Sequence, residues 1–158
     1  MKQILVIALL ILSKNLFACR CDLPLEFSKK DIDQADYIAL VKIKKILPLQ
    51  DHAFLNNPYR YNYFKIVIRE KRNYKTHKFK EIIVMGGHPK FNTWTSCDYD
   101  MNENEEWIVF GKHERGKVVV NSCSRSARFI QYPATNDYRS QNALEKIKFL
   151  DNFFDKKN

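Results

Sequence analysis

The residues with the most chemistry to offer are four cysteines, Cys19, Cys21, Cys97 and Cys123. A thiol can pair, ligate a metal or carry a lipid. An even number in a small exported domain points to disulfides. A Cys19–Cys21 bridge would span one residue and strain the disulfide geometry. Two arrangements remain, each tying the N-terminal pair to two distant points. Structural zinc sites usually pair cysteines two to four residues apart, twice over. Cys97 and Cys123 stand alone, and His52, His77, His88 and His113 have no ligand spacing. Lipidation of Cys19 is the third option, since Leu16-Phe17-Ala18 loosely resembles a lipobox. It would consume one sulfur and leave an odd thiol in an oxidising compartment.

The cysteines follow a leader-like segment. Met1-Lys2 gives a positive start, Gln3 to Leu12 is almost unbroken apolar sequence, and Ala18 is the small residue a signal peptidase requires. An apolar run of that length is too short to span a ~30 Å hydrocarbon core as a helix. Residues 1–18 are therefore expected to be a signal peptide, with residues 19–158 forming one domain. The expected location is secreted or periplasmic, with a lipid anchor through Cys19 as the alternative. Losing Lys2 and Lys14 would lower the formal charge from +9 to +7. A basic chain favours acidic partners.

Enzyme signatures are missing. No Gly-x-Ser-x-Gly, phosphate loop or His-Glu-x-x-His occurs. Glu103, Glu105 and Glu106 read as a solvated acidic turn, as do Asp98 and Asp100, and Gly86-Gly87-His88 as a turn that ends a strand. No catalytic residue and no cofactor are expected.

The elements that must position the cysteines are mostly strands. Ser28 to Gln34 reads as a short helix ended by Ala35-Asp36. Tyr37 to Ile43 is rich in β-formers. A polar loop is expected from Pro48 to Pro58. Tyr59 to Arg69 reads as a second strand, with Phe64, Ile66 and Ile68 on one face. "EIIVMGG" is a third and "EEWIVFG" a fourth, stopped by Gly111. "HERG" reverses the chain, and "KVVVNSC" returns as a fifth. Irregular sequence runs to Pro133. A helix is expected from Asn142 to Phe154, capped by Asn142 with Glu145, with Ala143, Ile147, Leu150 and Phe154 on one stripe. Five strands and two helices predict a five-stranded OB-fold-like barrel, all-β/α+β in class. A short N-terminal helix and a C-terminal helix would pack against it.

The ordered pieces resemble the netrin-like domain, and within it the N-terminal inhibitory domain of the tissue inhibitors of metalloproteinases. The pieces are Cys19-Arg20-Cys21 at the expected cut, "ADYIALVKI" (35–43), "YFKIVIREKRNYK" (63–75) as a strand running into a basic turn, "SCDYDMNENEEWIVFG" (96–111) and "GKVVVNSC" (116–123). The resemblance runs from Cys19 to about Phe129. It implies an OB barrel and the disulfides Cys19–Cys97 and Cys21–Cys123. It also implies a protease-contacting wedge of Cys19, Arg20 and Cys21. In that family the amine and carbonyl of the first cysteine chelate the zinc of a target metalloprotease, so Cys19 would be a metal ligand only in trans. Arg20 stands where the family usually has a small hydroxyl residue, so its pocket would need a carboxylate. The family's third disulfide in this domain is missing.

Netrin-like domains also serve as binding modules. The basic, aromatic stretch at 59–80 gives a second expectation, a polyanionic surface ligand held by Arg60, Lys65, Arg69, Lys71, Arg72 and Lys75. Nucleic acid would suit such a barrel surface, but the leader argues against that partner.

Overall fold

The structure, a computed structural model, describes residues 21, 26–51, 54, 62–93, 98–132 and 137–155. In chain order its elements are α1 (Lys29–Gln34), β1 (Tyr37–Pro48), β2 (Tyr63–Lys75), β3 (Glu81–Met85), β4 (Glu106–Glu114), β5 (Lys117–Val120), β6 (Ala127–Phe129) and α2 (Tyr138–Asp155). The strands run β1-β2-β3-β5-β4, and β4 pairs back onto β1. The first five strands thus close an OB-fold-like barrel, and β6 adds a sixth strand outside β4. All pairings are antiparallel except β3 with β5, where Ile83 faces Val119 and Val84 faces Val120.

Alternation along the strands fills the barrel. Tyr37, Ala39, Val41 and Ile43 of β1 point inward with Phe64, Ile66 and Ile68 of β2, and meet Trp107 and Val109 of β4 and Val118 and Val120 of β5. Each large aliphatic side chain among them contributes ~1.5–3 kcal/mol when taken from water. A register shift between Ile43 and Lys45 inserts one extra residue into β1, so Ile46 rather than Lys45 is the next to turn inward. The outward residues Ile38, Ile108 and Phe110 are buried too, under Ile32 and Ala35 from the α1 segment and Ala143 and Leu150 of α2. The stripe expected on the C-terminal helix is this second core's lid, with Ile147 and Phe154 at its margin.

Several boundaries depart from the sequence reading. Gly111 does not stop β4, which continues to Glu114. A Cβ at Gly111 would lie 2.5 Å from Val118 Cγ1, so the glycine serves the close approach of β5. The reversal falls on Arg115 and Gly116 with φ of 52° and 75°, matching the two left-handed residues of a type I′ hairpin. The basic stretch up to Lys75 is strand, not turn. Ala127–Phe129 pairs with β4 where irregular chain was expected. α2 already begins at Tyr138, so Asn142 and Glu145 are interior and cap nothing. The residues of the expected second strand before Asn62 lie outside the described residues.

Candidate functional site

Cys21 is bonded to Cys123 with a Cα separation of 5.3 Å. Cys123 lies in the turn that follows β5, and 102 residues separate the pair. This is one of the two bridges implied by the family resemblance. Cys19, Arg20 and Cys97, and with them the other bridge and the first two wedge residues, lie outside the described residues.

The same turn holds the chain after Cys21 by a second device. Arg125 Nε donates to Asp31 Oδ1 at 2.7 Å, and its Nη2 donates to the Glu26 carbonyl at 3.1 Å. Asp31 is held from its other side by the Ser28 backbone N–H at 2.8 Å and the Ser28 hydroxyl at 3.2 Å. The Arg125 and Asp31 side chains are only 12% and 5% exposed, so the pair is largely withdrawn from water. Burial opposes charge on Asp31, but hydrogen bonds from Arg125 and Ser28 outweigh it and hold the carboxyl below its ordinary value. From α2, Lys146 Nζ donates to the Arg125 carbonyl at 2.8 Å. Burial, and next the Arg125 charge, bring the Lys146 amine down to about 8.

Beside the bridge the turn is knitted by hydroxyls. Tyr99 Oη donates to the Ser124 carbonyl at 2.9 Å, Ser124 Oγ donates to Ser126 Oγ at 2.7 Å, and Ser126 Oγ accepts from the Phe110 N–H at 2.9 Å. Burial pushes the Tyr99 phenol up to about 12. Such a chain of satisfied groups fixes the loop; none of them is poised to exchange a proton near neutral pH. A shallow groove runs alongside, lined by Asp31, Ala35, Phe110, Gly111, Cys123 and Arg125.

The basic residues expected to bind a polyanion meet different fates. Lys65 pairs with Glu81 at 3.1 Å. Lys71 pairs with Glu106. Arg72 pairs with Asp151 of α2 at 2.8 Å and lies over the Tyr74 ring at 5.1 Å. Lys75 Nζ donates to the carbonyls of Ile32 and Ala35 at 2.8 and 2.6 Å, closing the C-terminal end of α1. Only Arg69 of the described members has no side-chain partner among the described residues. Arg60 lies outside them.

The acidic run is not a solvated loop throughout. Glu105 accepts from the Trp107 indole N–H at 3.0 Å and from the Asn102 N–H, and Glu106 belongs to β4. Glu103 accepts from the Ile46 N–H at 3.0 Å and from Lys90. Those two contacts, the backbone one first, lower its pKa.

Among the described residues no group of three His, Cys, Asp or Glu stands together as a metal site. His88 is buried with Nε2 2.8 Å from the Met101 carbonyl, while Nδ1 accepts from the Lys90 N–H at 3.1 Å. Both of its nitrogens are thus used by backbone. Among the described residues no helix is long and apolar enough to cross a membrane.

Sequence reasoning missed Arg125 and Lys146. The Ser28-x-x-Asp31 spacing is a legible capping signal, but nothing local ties it to a residue 94 positions later. No family model matches the chain, and a search of curated proteins finds no significant match.

Proposed function

We propose that this chain is an exported inhibitor of a zinc metalloprotease, built like the tissue inhibitors of metalloproteinases and without catalytic activity of its own. The observation that carries the proposal is the Cys21–Cys123 bridge. It fixes the backbone two residues after Cys19 against the end of the barrel, where Arg125 adds a second hold on the following segment.

On this reading a signal peptidase cuts after Ala18 and frees the α-amino group of Cys19. An α-amine with a pKa of ~7.7–8.0 gives up its proton readily to a metal near neutral pH. With the adjacent carbonyl oxygen it offers two donors to the target's zinc. Arg20 then enters the target's specificity pocket, where its guanidinium suits a carboxylate. Because the segment is tethered, little conformational freedom is lost on binding.

The test uses two forms of the oxidised protein, one starting at Cys19 and one with an alanine ahead of it. Both are titrated against a panel of purified zinc endopeptidases. Inhibition of at least one protease by the first form, and its loss in the second, is the expected result. Equal potency of the two forms, or no inhibition across the panel, overturns the proposal.

A further inference from the structure

Lys42 of β1 and Arg69 of β2 are direct cross-strand partners, and Glu106 of β4 is the next residue in the same row. Both cations stand outside the barrel, because their neighbours Val41, Ile43 and Ile68 point into it. Neither side chain has a hydrogen bond or ion pair among the described residues. The carboxylate in their row, Glu106, is taken by Lys71. Every other cation on β2 has a partner, whether a carboxylate, as for Lys65, Lys71 and Arg72, or two carbonyls, as for Lys75. Lys44 and Lys45, both exposed, continue the positive stretch along β1.

Like charges placed directly opposite one another weaken a sheet. A strand that neutralises its other cations yet keeps Arg69 opposite Lys42 leaves a place for an external anion. We infer that the Lys42–Arg69 row binds an acidic polysaccharide, whose sulfate or carboxylate groups take the position that no protein carboxylate fills. The guanidinium offers a planar, two-pronged donor set to such groups and the lysine a point charge. Single-stranded nucleic acid fits less well. Its binding faces combine cations with exposed rings for stacking, whereas the ring in this row, Phe129, packs against the α2 core. The Cys21–Cys123 bridge also belongs to oxidising compartments, where acidic glycans are the polyanions at hand. The site does not involve the chain's first residues, so it stands or falls independently of protease inhibition.

The experiment measures binding of size-fractionated heparin to the full chain at about 0.05 M and about 0.15 M salt. The double variant Lys42→Gln/Arg69→Gln should bind at least roughly fivefold more weakly at the higher salt, with a salt dependence shallower by about two released counterions. The double variant Lys29→Gln/Lys65→Gln removes the same charge from residues already paired with Asp33 and Glu81. It should lose less than about twofold, as expected where only the general field changes. Thermal melting of both variants checks that each is folded; all four positions are on the surface. Equal losses in the two variants, or no heparin binding by the parent chain, overturn the inference. Tighter binding of a single-stranded oligonucleotide than of heparin overturns it in favour of nucleic acid.

Discussion

Where α1, the 121–126 turn and α2 meet, Asp31 and Lys146 are buried, the Arg125 side chain is nearly so, and each is hydrogen-bonded. Across the outer row of β1 and β2, Lys42 and Arg69 face one another and have no partner among the described residues. The difference follows from the medium. Two charges ~4 Å apart interact by only ~1 kcal/mol in bulk water and by several times more where water is displaced. The seam therefore ties each charge to a partner, Asp31 to Arg125 and Lys146 to a carbonyl, whereas the outer row tolerates a mismatch that a ligand can exploit. The seam serves position, since its contacts hold the chain after Cys21. The row has no structural work that its charges improve.

The largest break in this contrast is at the bridge. Cys21→Ser or Cys123→Ser reopens a loop of 102 residues. In the chain-entropy treatment this costs about 5 kcal/mol, measured by urea unfolding. Next comes Asp31→Ala, which leaves the Arg125 guanidinium without its counter-ion and should cost about 3 kcal/mol in the same assay. Asp31 has a folded pKa below its unfolded value. Its contribution is therefore present above the unfolded pKa and is lost as the pH falls through the folded one. The Asp31→Ala chain should accordingly lose less stability than the parent on acidification in that range. The smallest effect is expected in the row. Lys42→Gln removes the repulsion from Arg69 on one side and the attraction of Glu106 on the other, and should change stability by no more than a few tenths of a kcal/mol. A destabilisation above about 1 kcal/mol would mean that Lys42 makes an unrecognised structural contact, and the contrast between the two regions would fail.

Much of the barrel is legible in the sequence because its causes are local. Phe64, Ile66 and Ile68 alternate and so must share a face, and Ala143, Ile147 and Leu150 recur at helical spacing. β6 is not legible, because Ala127–Phe129 is three residues long and is strand only by virtue of Glu106 to Ile108 beside it. The end of β4 is misplaced at Gly111 because a glycine reads as a stop until the side chain packed against it is known. Charge is the least legible feature. Closeness in sequence groups six basic residues, yet the fold gives Lys65, Lys71 and Arg72 to carboxylates on three different elements. It leaves Arg69 with Lys42, which that grouping omits.

The amino-acid order by itself determined that Phe64, Ile66 and Ile68 share one face, where most strands and the last helix lie, and that four cysteines follow a leader-like start. Periodicity and composition act over a few residues, so they can be read without knowing the fold. Tertiary structure alone decided that β4 closes onto β1, that Cys21 meets Cys123, that Arg125 reaches Asp31 and that Lys42 confronts Arg69. Each of these joins positions far apart in the chain. Their meeting depends on strand register, in which a shift of one residue turns every side chain to the opposite face.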